Sequence, residues 1–246
     1  MKKQLFWTII AHDENIVAVN KASGISITGD RWSPTKERLD TLLAAELGLE
    51  RLFVVHRIDN GSSGLVVFAK TAAMHRTLSL AFERREVEKR YLAIVHGRPA
   101  WQETCCDLPL LSDATKRHET IVEKFRGKKA RTRFKFLAAA GNYSVLTAWP
   151  ETGRQHQIRV HLARLGHPIV CDELYGTSRP VYLSSFKKAW RGDQSTERPL
   201  LGRLGLHAQS LVLPAYPQGL TAPPPKDMAA FIYQIEKCSG IQPHCQ

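Results

Sequence analysis

The sequence predicts an α+β protein in which strands and helices follow one another irregularly. Short apolar runs bounded by polar turns, such as residues 5–11 and 16–19, are typical of strands. Longer stretches place apolar residues on one helical face, as Leu39, Leu42 and Leu43 do. Because this order does not fit the regular βαβ repetition of a parallel sheet, we expect one catalytic unit of two lobes that spans residues 1–246.

Local patterns predict an element for most of the chain. Strands are predicted at residues 5–11, 16–19, 25–28, 52–57, 65–69, 90–96, 131–136, 143–149 and 206–213. Helices are predicted from the N-cap Ser33 with Pro34 after it, from near Thr71, after the turn at residues 150–153, and through Phe231, Ile232 and Ile235. In the strand at 131–136, Arg or Lys alternates with Thr or Phe. Its basic face is either the solvated face of an edge strand or a surface for RNA.

The charge of the chain points to a polyanionic partner. The 246 residues include 35 Lys or Arg and 23 Asp or Glu, for a formal net charge of +12. Half of this excess lies in residues 113–135, which hold nine basic and three acidic side chains. An average content of apolar and charged residues excludes disordered and coiled-coil proteins. Nucleic acid is therefore the favoured partner, although a basic surface also improves solubility.

Cysteine content and apolar run length indicate a protein of the reducing cytoplasm. The five cysteines are an odd number, include the adjacent Cys105 and Cys106, and form no C-x-x-C pair. We therefore expect neither a disulfide framework nor a zinc site. The apolar residues near the N-terminus are too few for a signal peptide, and no run approaches the roughly 20 residues of a membrane helix.

Three segments carry the ionisable residues that chemistry needs, and several reactions fit them. They are HRIDNGSSGL at 56–65, EKRYLAIVHG at 88–97 and ETGRQHQIRVHLARLGHPI at 151–169. Asp59 suits a nucleophile, a base or a helix cap, and His56 with His156 would suit acid–base cleavage of RNA. His156 and His161 are five residues apart, which does not favour a shared metal. No glycine-rich phosphate loop is present, so no nucleotide cofactor is expected.

The order and spacing of these segments resemble the RluA family of ribosomal large-subunit pseudouridine synthases. With CDELYG at 171–176 and LHAQSL at 206–211, the resemblance extends over residues 16–213. It implies a mixed, largely antiparallel bent sheet with flanking helices and two lobes around a central RNA-binding cleft. It also implies isomerisation of uridines in structured rRNA or tRNA to pseudouridine, with no metal or cofactor, by a cytoplasmic monomer without an obligate protein partner or membrane contact.

Five positions match residues to which the family gives a role in the reaction. Asp59 matches the catalytic aspartate, and Arg57 matches the arginine that takes the place of the displaced nucleotide. Tyr91 matches the aromatic residue that stacks on the uracil and assists proton removal at C5. Arg159 matches the basic residue that pairs with the catalytic carboxylate, and Ile158 matches the aliphatic residue on the other face of the base.

Further polar residues of these segments are expected to support RNA binding. They contact phosphate groups or hold other site residues, and they are Lys89, Arg154, His156 and Gln157. The family's Lys-Pro-x-Gly turn appears as Lys21-Ala22-Ser23-Gly24, where Lys21 is either an ordinary surface lysine or, like those four residues, a phosphate contact or a support for other site residues. Because too few residues precede His12 for the extra RNA-binding domain of many relatives, substrate choice is expected to rest on the catalytic unit. A non-catalytic RNA-binding protein and a ribonuclease remain the alternatives.

Overall fold

The computed structural model describes residues 6–29 and 37–239. The chain forms two compact units: the first comprises Met1–Arg90 and His207–Pro224, and the second comprises Tyr91–Leu206 and Pro225–Gln246. The helix that carries Leu39, Leu42 and Leu43 begins at Leu39, after an extended Arg38, so its predicted start at Ser33 and Pro34 is wrong; Ser33 and Pro34 themselves lie outside the described residues. Within the described part, no helix is both long and apolar enough to cross a membrane.

Twelve strands and four helices are formed by the described residues. In chain order they are β1 (Trp7–His12), β2 (Ile16–Lys21), α1 (Leu39–Glu46), β3 (Phe53–Val54), β4 (Ser63–Ala69), α2 (Ala72–Glu83), β5 (Glu88–His96), β6 (Glu103–Cys106), β7 (Leu110–Leu111), β8 (Ile121–Val122), β9 (Thr132–Ala140), β10 (Tyr143–Pro150), α3 (Gln157–Arg164), β11 (Leu206–Leu213), β12 (Tyr216–Thr221) and α4 (Lys226–Ser239). The predicted α+β class, with its irregular order of strands and helices, is confirmed.

In the first unit, the strand order is β1–β2–β4–β11–β12, and β3 pairs with the end of β4. The β4–β11 pair is parallel, and the others are antiparallel. Because β2 and β4 are almost wholly apolar, both of their faces are buried. Leu78 and Ala81 of α2 join Leu65 and Val67 of β4 in one apolar cluster. Thr71 caps α2 by accepting a hydrogen bond from Met74 N–H, and the predicted helix start near Thr71 is confirmed.

In the second unit, the antiparallel strand order is β5–β10–β9–β6. Alternate residues of β5 supply two separate apolar clusters. Leu92 and Ile94 pack in the cluster that contains Phe231 of α4, whereas Ala93 and Val95 pack in the cluster that contains Ile158 of α3. The strand is therefore buried on both faces. The packing of β5 against Ile158 positions α3, which carries the third motif, on the sheet.

Two of the predicted strands differ in the structure. Residues 25–28 form no strand, because Ser26 makes only an isolated bridge to Arg38. The strand predicted at 52–57 shortens to β3, since only Phe53 and Val54 pair with β4. Ile25, Ile27 and Leu52 of these segments are buried. The apolar pattern therefore arises from burial in the core and not from strand pairing.

The basic strand β9 is an inner strand of the sheet, so of the two alternatives for its basic face the edge strand is wrong. It pairs with β10 on one side and with β6 on the other. Its predicted basic face is confirmed, with Arg133 and Lys135 exposed. Lys135 lies 3.3 Å from Glu103, and the Arg133 guanidinium lies 4.0 Å from the ring centroid of Trp149. Both side chains therefore already contact groups of the protein, and they share one acidic partner, Glu103.

Gly64 allows the parallel pair β4–β11 to form. Its φ is +119°, and a Cβ atom there would collide with the carbonyl oxygen of Ala208 and lie 2.5 Å from its nitrogen. Beside it, the Ser63 hydroxyl lies 3.0 Å from His207 Nδ1, and His207 Nε2 lies 3.0 Å from the carbonyl oxygen of Ala222. Gly64 of the first motif and His207 of LHAQSL thus both stabilise the contact between β4 and β11.

We expect Gly64→Ala to lower the free energy of unfolding by at least about 3 kcal/mol, because backbone strain adds to a collision with rigid backbone. Gly48→Ala is the matched control, since Gly48 also has a positive φ but has open space around it. We expect the control to cost about 1 kcal/mol. Urea unfolding of the two variants measures the difference, and equal losses would contradict the close-contact explanation.

Candidate active site

Asp59 lies in the turn that connects β3 to β4. The turn is closed by a hydrogen bond of 3.0 Å from Ser62 N–H to the Asp59 carbonyl oxygen. Ile58 is buried, whereas Arg57 before it is exposed and Asp59 after it is half-buried. A buried side chain between two accessible ones anchors the backbone while leaving the carboxylate and the guanidinium able to meet a ligand.

Lys21 is fully buried beneath this turn, so the predictions of a surface lysine and of a direct RNA contact are wrong, and the alternative in which Lys21 supports other site residues is favoured. Its ammonium group donates hydrogen bonds to the carbonyl oxygens of Ala22 at 2.9 Å, Ile25 at 3.0 Å and Asn60 at 3.1 Å. Burying an ammonium group is costly unless hydrogen bonds replace its water, and these carbonyls do so. Lys21 therefore fixes the backbone of the residue that follows Asp59.

The segment after Lys21 is bonded to the same turn. Ser23 Oγ donates to the carbonyl oxygen of Gly61 at 2.6 Å, and Gly24 N–H donates to that of Asn60 at 2.9 Å. These bonds hold the Ala22-Ser23-Gly24 turn although it lacks the proline found in the resembling family.

His56 is a neutral acceptor, which argues against its predicted alternative role in RNA cleavage. Its Nε2 accepts a hydrogen bond of 2.9 Å from Val67 N–H, and its ring stacks on Phe82 at 4.8 Å between centroids. Burial, with a smaller effect of the Lys89 charge, lowers the pKa of His56 to about 3. An imidazole with so low a pKa does not serve as an acid near neutral pH.

Lys89 has an unusually low pKa and lies next to the last residue of the first unit's longer segment, Met1–Arg90. Burial, and secondarily the charge of Arg85, lowers the pKa of Lys89 from 10.5 to about 8. At neutral pH the side chain is still mostly charged, but it loses its charge far more readily than an ordinary lysine.

The start of α3 is built around His156 and Gln157. His156 is the N-cap residue and has a left-handed backbone, with φ 53° and ψ 18°. Such a backbone is strained for a residue with a side chain and needs support from its surroundings. That support includes the Tyr175 hydroxyl, 2.9 Å from His156 Nδ1.

Gln157 is 4% exposed, and protein groups use both ends of its amide. Its Oε1 accepts from Thr152 Oγ1 at 2.6 Å and from Arg154 N–H at 3.0 Å. Its Nε2 donates to the carbonyl oxygen of Arg131 and to Thr132 Oγ1, each at 2.9 Å. This geometry favours the supporting role predicted for Gln157 over a direct contact with phosphate. Arg154 itself is half-buried, and its Nε donates to a backbone carbonyl at 3.1 Å.

Arg159 forms a buried, two-pronged ion pair with Asp172. Nε and one Nη each donate a hydrogen bond of 2.8 Å to a different carboxylate oxygen. The Asp172 side chain is fully buried and also accepts the backbone N–H groups of Leu174 and Tyr175. The Arg159 guanidinium lies 5.0 Å from the ring centroid of Tyr175. These contacts fix the direction in which the guanidinium points.

Asp172 and Tyr175 are the site residues that sequence reasoning missed. Both lie in the segment CDELYG, which supplied only a family signature in the sequence analysis. The sequence pattern that could have indicated them is an acidic and an aromatic residue three positions apart, shortly after the helix that contains Arg159. In the structure, Tyr175 also accepts a hydrogen bond of 2.7 Å from Thr120 N–H, so one side chain connects three segments of the second unit.

Tyr91 and Ile158 meet in one cluster of the second unit. Tyr91 lies on β5 opposite Ala148 of β10, is half-buried, and packs against the cluster that contains Ile158. Ile158 itself is 6% exposed. The predicted residues thus fall in two groups. The first unit holds Arg57, Asp59 and Lys89, and the second holds Tyr91, Arg154, His156, Gln157, Ile158 and Arg159.

Comparisons with known proteins agree with the fold and the motifs. The model of a family described as RNA pseudouridylate synthase matches residues 15–164. The dual-specificity RNA pseudouridine synthase RluA of Salmonella typhi is 35% identical over 225 residues, which cover 90% of this chain and 94% of that protein. The ribosomal large subunit pseudouridine synthase D of Zymomonas mobilis is 35% identical over 182 residues, covering 71% of this chain and 57% of that protein.

A solved structure extends the likeness to the fold. The human RNA pseudouridylate synthase domain containing 4 protein superposes with a TM-score of 0.72 at 25% identity, covering 93% of this chain and 92% of that chain. The matches define an RNA-modifying isomerase with a mixed, mostly antiparallel sheet. This chain belongs to the RNA pseudouridylate synthase family, as the sequence motifs predict.

We expect Asp172→Asn to lower the free energy of unfolding by about 3 kcal/mol, because it removes the carboxylate charge from the buried, two-pronged ion pair with Arg159. Glu151→Gln is the control, since Glu151 pairs with Arg131 at 3.3 Å with both side chains about half exposed. Loss of that exposed pair should change stability by less than about 1 kcal/mol. Chemical denaturation distinguishes the two, and a similar small effect of both variants would contradict the importance of the buried pair.

The low pKa of Lys89 predicts that RNA affinity falls as pH rises. The neutral form is favoured in the folded protein, so positive charge is lost as pH passes through about 8. We expect roughly fivefold weaker binding across this step, about 1 kcal/mol for one charged contact. Titration of Lys89→Arg with RNA should show no such step in affinity; a step of equal size would assign it to another group.

In the absence of RNA, the free energy of unfolding of the wild-type protein should rise with pH between about 8 and 10.5. In this range the unfolded chain binds a proton that the folded protein has lost from Lys89.

Proposed function

We propose that this enzyme isomerises specific uridines of a structured RNA, ribosomal or transfer RNA, with Asp59 as the nucleophile. The observation that carries the proposal is the turn that holds Asp59. It is anchored by buried Ile58 and by the Lys21 ammonium on the carbonyl of Asn60. A carboxylate is an effective covalent nucleophile when it is ionised and held in one position. The backbone anchors supply the second condition.

The reaction breaks the bond between N1 of uracil and C1′ of ribose and forms a bond from C5 to C1′. One proton leaves C5 and one is taken up at N1, so the change is an isomerisation that needs no oxidant or reductant. In the proposed route, Asp59 bonds transiently to C1′ or to the base and is released when the new bond forms. The ring of Tyr91 stacks on the uracil opposite Ile158, and its hydroxyl assists removal of the C5 proton.

The proposal includes extrusion of the target nucleotide from its stack. Extrusion costs a few kcal/mol. Arg57 is exposed, and a planar guanidinium both stacks on bases and binds phosphate, so it is suited to fill the gap that the nucleotide leaves. Arg159 is the proposed counter-charge that keeps the Asp59 carboxylate ionised, and its fork onto Asp172 supports this role by presetting its orientation.

The names of the relatives support ribosomal RNA as the first substrate to test, with a second kind of RNA beside it. One relative is a dual-specificity RNA pseudouridine synthase, and another acts on the ribosomal large subunit by name. The proposal takes residues 1–246 as one catalytic domain that acts as a monomer in the cytoplasm.

We expect Asp59→Asn to abolish isomerisation while RNA binding persists, because the amide is a far weaker nucleophile of nearly the same size. Release of tritium from RNA labelled at uracil C5 measures the reaction, and fluorescence anisotropy measures binding. Asp113→Asn is the control, since Asp113 is exposed and lies outside the three motifs.

Each outcome of this assay favours a different function. Substantial tritium release by the Asp59→Asn variant would overturn the role of Asp59. Strand cleavage by the wild-type protein would favour a ribonuclease. Binding without release or cleavage, on both ribosomal and transfer RNA, would favour a non-catalytic RNA-binding protein.

A further inference from the structure

Phe125 is 95% exposed, far more than any other large apolar side chain of the described residues. The next most exposed such side chain, Tyr233, is 46% exposed. Phe125 lies in the turn at residues 123–127, which follows β8 in the second unit. At this exposure the ring buries almost no apolar surface within the chain, so the whole ring is accessible to a ligand.

The turn that carries Phe125 is fixed by hydrogen bonds. Phe125 N–H donates to a carboxylate oxygen of Glu123 at 3.1 Å, and Gly127 N–H donates to the Glu123 carbonyl oxygen at 3.1 Å. A Cβ atom at Gly127 would collide with that same carbonyl oxygen. At the base of the turn, Leu110 and Lys128 exchange backbone hydrogen bonds of 2.9 and 2.8 Å. The ring is therefore held outward by an ordered backbone.

Exposed basic residues flank Phe125 in the sequence. Four basic residues lie within four positions of Phe125 along the chain, namely Lys124, Arg126, Lys128 and Lys129. Glu123 is the nearest acidic residue in the sequence, and its carboxylate already accepts the Phe125 N–H and lies 4.0 Å from Arg126. An aromatic ring among cations is the arrangement with which proteins bind unpaired nucleotides: the ring stacks on a base and the cations contact phosphates.

We propose that Phe125 stacks on an unpaired base of the RNA, outside the motifs of the reaction, while Lys124 and Arg126 bind the adjacent phosphates. The inference deepens the proposed function, because it rests on RNA being the substrate. An apolar protein surface is a poorer match, since docking there would desolvate the flanking cations without a counter-charge. The ordered turn reduces the entropy lost when the base stacks.

Binding of two RNA strands tests the proposal. Fluorescence anisotropy compares a short single-stranded RNA with a strand of equal length and charge whose nucleotides are abasic. We expect Phe125→Ala to weaken binding of the intact strand about 5- to 150-fold, the range for one base stacked on an aromatic ring. Binding of the abasic strand should change less than about twofold, because the phosphate contacts remain. Phe125→Trp should retain the affinity.

Tyr233→Ala is the matched control for loss of an exposed aromatic ring, and it should leave both affinities unchanged. Unchanged binding of the intact strand by Phe125→Ala, or an equal loss on both strands, would overturn the proposal. A change of oligomeric state in Phe125→Ala, measured by sedimentation, would overturn it in favour of contact between copies of the chain. Failure of the proposed function is separate: wild-type protein would then discriminate between the strands but release no tritium from RNA labelled at uracil C5.

Discussion

A cation that is buried away from water needs new partners within the protein. This requirement determines the local structure around Asp59 in the first unit and around Arg159 in the second. The cost is several kcal/mol for each buried ion. Lys21 meets it with the carbonyl oxygens of Ala22, Ile25 and Asn60, whereas Arg159 meets it with the carboxylate of Asp172. Each solution ties a motif to a second segment of the chain. The hydrogen bonds that stabilise the buried cations thus also fix the turn that holds Asp59 and the direction of the Arg159 guanidinium.

Elements governed by neighbouring residues were predictable from the sequence. The start of α2 near Thr71 and the helix α3 after the turn at residues 150–153 both depend on residues a few positions apart. Gly166 has a φ of +83°, as expected for a glycine that ends a helix. The motifs also gave the family, because their order along the chain requires no knowledge of contacts.

Features that depend on distant residues were not predictable. The burial of Lys21 follows from carbonyl groups as far as 39 residues away, and the low pKa of His56 follows from the chain that encloses it. The place of β9 inside its sheet depends on β6, a short strand with little apolar character of its own. Asp172 was visible in a motif, but its pairing with Arg159 needed the turn that brings them together.

The parallel pair of β4 and β11 has a consequence for synthesis of the chain on the ribosome. Ser63 and His207 are 144 residues apart in sequence, and the last strand of the first unit ends at Thr221. The second unit, by contrast, has its four-stranded sheet from residues 88–150. During translation, β4 therefore emerges with one edge unpaired and waits for β11, because His207 follows Ser63 by 144 residues. Pairing over such a separation is slow and leaves a strand edge open to other chains, so the nascent protein is most vulnerable to misassembly during this interval.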